Sequence, residues 1–153
     1  MRYLTLLLLL VSFPTTAETV YHGKVVNIAD GDTLTILVDN EQHKIRPSDI
    51  DTPERIRPFG TRAKQALSEL AFGKQARVVE VTVDRYGRIV GRVCVGETDV
   101  NRELVRGGYA WVYRKYSDDA ELLDLEAHAK EKGLGLWSDD NPIPPWEWRY
   151  GHE

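Results

Sequence analysis

The stretch Ile45-Arg46-Pro47-Ser48-Asp49-Ile50-Asp51-Thr52-Pro53-Glu54 decides how the rest of the chain is read. An apolar residue and an arginine lead into two carboxylates, Asp51 and Glu54, three residues apart. Thr52-Pro53 between them reads as a turn or a helix start, because proline presets φ and suits the first helical position. The two acids therefore sit where a strand ends, aimed off the sheet rather than lying in it. Pro47 works against an unbroken strand, since it removes a ladder donor and belongs at a sheet edge or bulge. Replacing it with leucine is accordingly expected to stabilise the fold by on the order of 1 kcal/mol.

Working outward, residues 20–29 mix β-branched and polar side chains as a strand does, and Asp30-Gly31-Asp32 is a turn. Residues 33–38 alternate, with Leu34, Ile36 and Val38 on one face. A second turn over 39–42 leads to a third strand over 43–50. Residues 61–72 have helical spacing instead: Ala63, Ala66, Leu67, Leu70 and Ala71 form one apolar stripe, stopped by Gly73. Strands over 75–83 and 88–95 flank a turn at 84–87. Helices over 100–106 and 118–132 end at Gly107-Gly108 and Gly133. The tail, 138–153, holds Pro142, Pro144, Pro145, Trp146 and Trp148 and is expected to wrap the domain surface. Five strands with a helix between the third and fourth give an α+β, mainly β fold, a five-stranded Greek-key barrel of the OB type with about three helices.

The first 17 residues read as a signal peptide. Arg2 is a positive n-region, 4–13 an apolar h-region, and Thr15-Thr16-Ala17 offers small residues for cleavage. A membrane span needs about 20 apolar residues, so this stretch is too short for one. Residues 18–153 are then a single domain, exported to the periplasm or secreted, with no stable membrane insertion and expected to be a monomer. Cys94 is the only cysteine, which excludes an intrachain disulfide, and its apolar surroundings suit a buried structural thiol. The net charge of −4 does not announce a nucleic-acid binder, so any such binding must rest on a local patch. Lys44, Arg46, Arg55, Arg57, Arg62 and Lys64 supply one beside the acids, where it serves either as plain solvated surface or as a phosphate-tracking groove.

Each polar motif has a bland reading. Asp30-Gly31-Asp32 alone is a hairpin turn, Asp51-Thr52-Pro53-Glu54 a capped helix start, and Asp84-Arg85-Tyr86-Gly87-Arg88 a tight turn between paired strands. Together they say more. Asp32 and Asp51 at neighbouring strand ends repel unless a cation or proton intervenes. Hard oxygen ligands suit Ca²⁺ or Mg²⁺. The four histidines, His22, His43, His128 and His152, lack the spacing of a zinc site. Arg46 and Arg88 can grip phosphate oxygens bidentately. A cation, a carboxylate base and two arginines are the parts needed for phosphodiester hydrolysis.

These ordered motifs, with Val100-Asn101-Arg102-Glu103-Leu104-Val105-Arg106-Gly107-Gly108 and Gly135-Leu136-Trp137, resemble the staphylococcal nuclease (thermonuclease) family over nearly all of 18–153. The resemblance implies an OB barrel that cleaves DNA and RNA with Ca²⁺. It makes Asp32 and Asp51 metal ligands, Thr52 a carbonyl ligand, and Glu54 the general base. Arg46 and Arg88 become the pair on the scissile phosphate, and Tyr86 and Tyr116 line a nucleotide pocket. It further implies attack by water, departure of the 5′-oxygen and 3′-phosphate products. The chain departs from the family pattern at Pro47, where leucine is usual, in a shorter 55–60 loop, at Arg114, where a tyrosine is expected, and in the extra acid of Ser48-Asp49. The competing reading is a catalytically idle OB module that binds nucleic acid or a protein, and it leaves the intact acid and arginine set without a purpose.

Overall fold

The computed structural model describes residues 17–151, so the leader read over 1–17 lies outside the described residues but for its last position. Strand β1 (Val20–Asp30) pairs antiparallel with β2 (Thr33–Val38), and β2 with β3 (Glu41–Pro47). On its other edge β1 pairs with β5 (Gln75–Val83), and β5 with β6 (Ile89–Val95). A parallel pairing of β3 with β6 closes the sheet into a five-stranded barrel. This is the OB topology that the order of elements implies. Two register shifts in β1, after Val25 and after Ile28, bend this long strand so that it serves both sides of the barrel. The β2–β3 hairpin is tight because Asp39 and Asn40 both adopt positive φ, 48° and 67°, as a two-residue turn of matching twist requires.

The third strand is shorter than the sequence suggests, and this matters for the site. β3 stops at Pro47, and Asp49 takes φ 68°. Ile50–Asp51 then forms a separate short strand, β4, paired with β8 (Trp111–Val112). Pro47 forfeits little. The neighbouring Ser48 N–H donates to the Gly91 carbonyl at 2.8 Å across the parallel closure. Alternation then turns the Pro47 nitrogen toward β2, where the β2–β3 register sets it opposite Asp32, outside the strand. The expected stabilisation by leucine therefore loses its basis.

Helix α1 (Gly60–Ala71) follows the expected stripe. Ala63, Ala66, Leu67 and Ala71 are buried, and the Lys74 ammonium caps its last carbonyls at Glu69 (2.7 Å) and Leu70 (3.1 Å). A two-residue strand, β7 (Thr98–Asp99), leads into α2 (Val100–Arg106), capped by the Asp99 carboxylate on the Arg102 N–H. Helix α3 (Ala120–Glu131) is capped by Asp119 on the Glu121 and Leu122 N–H groups. The barrel core of Val25, Leu34, Ile36, Ile45, Val78 and Val93 is sealed by Leu67 from α1 and Leu104 from α2. Cys94, expected to be buried, is only half-buried on β6. After a 3₁₀ turn over Gly135–Ser138, the tail forms a short fourth helix, α4 (Pro145–Tyr150), with Pro145 at its first position. Among the described residues no helix is long and apolar enough to cross a membrane.

Candidate active site

The site is assembled where β1 turns into β2 and where β3 gives way to β4. Asp32 lies in the first turn, its N–H held by the Asp30 carboxylate at 3.1 Å. Gly31 is required there by space: a Cβ would sit 2.7 Å from both the Ala63 methyl and the Thr52 hydroxyl. A side chain at this position would push the turn off α1 and away from Thr52. The motif therefore contains a glycine because of close approach, and not only because of turn preference. Thr52 answers from the other side, its N–H donating to Asp32 Oδ2 at 2.9 Å.

Arg46, the penultimate residue of β3, stands between the two acids. Its Nη2 lies 3.3 Å from Asp51 Oδ1 and 3.8 Å from Asp32 Oδ2. The Asp51 side chain is 2% exposed and that of Arg46 15%. Burial pushes the Asp51 carboxyl up to about 6, with the Asp32 charge adding to it, against the opposing pull of Arg149 and Arg46. Burial, then the Asp32 charge, also hold Asp30 above the ordinary range. Asp51 is thus an enclosed acid whose charged form burial disfavours despite the two guanidiniums that act on it.

Arg88 reaches the same rim from the β5–β6 turn. Its Nε donates to Asp84 Oδ2 at 2.7 Å and its Nη1 to the Thr33 hydroxyl, next to Asp32, at 3.3 Å. Glu54 is half-buried, two residues beyond Thr52. Its carbonyl accepts from the Arg57 N–H at 2.8 Å, closing the short 54–57 turn. Gly60 packs directly against that same carbonyl, where a Cβ has no room. The Glu54 charge acts on Arg57, partly opposing the lowering that burial imposes on that guanidinium.

Asp32 therefore meets Arg46 and Thr52, Arg46 meets Asp51, Arg88 is joined through Thr33, and Glu54 only along the chain. The two tyrosines stand apart from this cluster. Tyr86, 68% exposed, lies against the Arg85 and Arg88 guanidiniums, 4.8 and 5.6 Å from its ring centre. Tyr116, 64% exposed, meets Tyr113 edge-on at 4.8 Å. Arg114 is a structural residue: it forks onto the Glu126 carboxylate at 2.8 and 3.1 Å.

Two contributors escape a reading of sequence. Buried Asn101 of α2 donates from Nδ2 to the Ser48 carbonyl (2.9 Å) and accepts the Val93 N–H (3.1 Å), fixing the corner between β3 and β4. Its only signal is its place in the 100–108 motif, between Val100 and the charged Arg102 and Glu103. Arg149 of α4 donates to Asp51 Oδ2 at 2.5 Å from 98 residues away. Nothing local marks it, although the surrounding prolines and tryptophans do mark a segment that docks.

An OB barrel whose rim gathers buried carboxylates around guanidinium groups presents donors suited to phosphate oxygens. Residues 44–139 match the staphylococcal nuclease homologue family. The chain is 42% identical to a micrococcal nuclease of Shigella flexneri over 152 residues, covering 92% of this chain and 86% of that protein. It is 42% identical to protein ParB of Escherichia coli, at 94% and 86% coverage, and 38% identical to an uncharacterized endonuclease of the same organism, at 97% of both chains. The chain belongs to the staphylococcal nuclease family, and it is a nuclease, a hydrolase of phosphodiester bonds.

Proposed function

We propose that this nuclease is an endonuclease that cleaves DNA and RNA in a Ca²⁺-dependent reaction, with Asp32, Asp51 and the Thr52 carbonyl holding the cation. The observation that carries this is the convergence of two buried carboxylates on one Arg46 nitrogen, at 3.3 and 3.8 Å. An all-oxygen donor pair fits a hard divalent cation. Among the described residues no group of three or more His, Cys, Asp or Glu converges as a complete metal cage. Water and the Thr52 carbonyl would complete the shell of such an ion. When bound, such an ion supplies Lewis-acid stabilisation of charge on the phosphoryl oxygens.

The chain's own residues perform the remaining steps. Arg46 and Arg88 bind the scissile phosphate and stabilise charge as it grows on the equatorial oxygens. Asp84 and Thr33 keep Arg88 extended toward the rim before substrate arrives, so little ordering remains to be done on binding. Glu54, on its short turn, accepts the proton of the attacking water. The 5′-oxygen departs and the 3′ side keeps the phosphate. Tyr86 and Tyr116 supply exposed aromatic faces for bases to stack on. Export through the leader remains part of this proposal, with N-terminal sequencing of exported protein expected to begin at Glu18.

The test is incubation of purified protein with DNA and with RNA, in Ca²⁺ and then in excess chelator. Cleavage of both that stops with chelator is expected, whereas undiminished cleavage would overturn the site chemistry. Glu54→Gln should lower kcat by about 10²–10⁴ while leaving the affinity for a nucleotide inhibitor within a few fold. A near wild-type rate would remove Glu54 from the role of base.

A further inference from the structure

The tail is built into the site. Trp146 of α4 stacks face to face on Tyr113, with ring centres 5.2 Å apart and planes 3° from parallel, and meets Trp111 edge-on at 5.7 Å. On its other side the Arg57 guanidinium lies over Trp148 at 4.3 Å and donates to the Ile143 carbonyl at 3.4 Å. These contacts bind the helix both to β8 and the residues that follow it, and to the loop that carries Glu54. They fix where Arg149 points. Its Nη2 is 2.5 Å from Asp51 Oδ2, while Arg46 takes Oδ1 of the same carboxylate. Asp51 is enclosed, but the Arg149 side chain is 41% exposed, so its outer face stays open to solvent.

This inference rests on the reading of Asp51 as a cation ligand. We propose that Arg149 is a further positioning residue of the site: its guanidinium holds the Asp51 carboxylate in the cation-free enzyme, competes with the cation for that oxygen, and is released when the cation binds. The physical argument is one of shared ligands. A buried carboxylate without a counter-charge is costly, and a bidentate-capable guanidinium is the side chain best suited to serve as one. An oxygen accepting a short N–H bond cannot at the same time give its full coordination to a metal ion. Once released, the half-exposed Arg149 stands at the rim as a third guanidinium available to phosphate, beside Arg46 and Arg88. The tail stays docked through its aromatic contacts, none of which involves Asp51.

Calorimetric Ca²⁺ titration of the full chain tests this directly, on wild type, Arg149→Gln and Arg149→Lys. Arg149→Gln should bind Ca²⁺ roughly three- to tenfold more tightly, the size of one half-exposed charge-assisted contact. Arg149→Lys, which keeps the charge and loses the fork, should fall between. In ¹⁵N spectra of the wild type, the Arg149 side-chain N–H signal, assigned by its loss in Arg149→Lys, should shift on Ca²⁺ addition while the Trp146 indole signal stays in place. Unchanged Ca²⁺ affinity in Arg149→Gln, or an Arg149 signal that Ca²⁺ does not move, would overturn the inference and leave the metal reading standing. Failure of the wild type to bind Ca²⁺ at all would remove both.

Discussion

Among the described residues, two of the three buried carboxylates, Asp51 and Glu126, each have two cationic side chains against them, and they are held in opposite ways. Glu126 of α3 is 1% exposed and receives the Val112 N–H at 2.6 Å, the Lys130 ammonium at 2.6 Å and the Arg114 fork. Burial pushes its carboxyl up, but the bonds from Arg114, Lys130 and Val112 outweigh it, and the group is held below its ordinary 4.5. Asp51, 2% exposed, also has two guanidiniums, yet its carboxyl is pushed up. Asp51 has Asp32 as a like-charged neighbour and Glu126 has no such opponent among the causes of its shift. A satisfied carboxylate fastens two elements together, whereas one whose charged form burial and a like charge disfavour is a candidate for a functional site.

Crossing the two positions should break the comparison into its parts, and this carries the largest effects. Asp51→Asn is expected to lower the hydrolysis rate by at least about 10²-fold, since it removes a charge-bearing ligand from the site. Its cost in stability should stay within about 1 kcal/mol, because losing one of two repelling acids offsets the bonds given up. Glu126→Gln should do the reverse. It leaves Arg114 and Lys130 without their shared anion, and urea unfolding should show a loss of about 2–3 kcal/mol. Both cations are nearly half-exposed, which keeps the loss below that of a fully buried pair. Its kcat at a temperature where it is folded should match wild type. If Glu126→Gln lost activity and Asp51→Asn lost stability, the division between fastener and site would be wrong.

Acid sharpens the contrast with a smaller effect. A carboxyl whose folded pKa is depressed contributes stability that is complete above its unfolded value and is lost as pH falls through the folded one. For Glu126 that window opens at about 4.5 and extends below it. Melting temperature followed from neutral pH into that window should fall less steeply in Glu126→Gln than in wild type. Parallel acid limbs would mean that Glu126 keeps an ordinary affinity for its proton.

The two carboxylates also differ in how far the sequence reveals them. Asp32, Arg46 and Asp51 are legible because they are charged residues at the ends of alternating strands, where the side chain must leave the sheet, and the motifs around them are specific to a family. The barrel was legible for a related reason: its hydrophobic period is set by its own strands. Glu126 reads as one more acid on an amphipathic helix. Its meaning comes from Val112 and Arg114, 14 and 12 residues earlier. Arg149 lies further still, 98 residues from its partner, in a segment whose composition announces docking and no target. Gly31 was visible as a turn residue, while its contact with Ala63 and Thr52 belongs to the packing of α1. What escaped was the identity of partners between elements, which no local period encodes.

The smallest expected effect concerns the connection by which Asp51 is reached. Glu126 sits within a helix, on backbone that needs no special conformation. Asp51 follows Pro47, the end of β3, and Asp49 at φ 68°. A leucine at Pro47 would regain an N–H, but that N–H would face the end of β2, where the register offers Asp32 rather than a strand carbonyl. It would also return conformational freedom to the unfolded chain that proline withholds, a cost of about 0.4–1 kcal/mol. The bond gained and the entropy lost therefore have opposite signs. Pro47→Leu should be neutral or destabilising by no more than about 1 kcal/mol in urea unfolding. A clear gain in stability would show that the closing pair of the barrel tolerates proline only at a cost, and that Asp51 hangs from a strained corner.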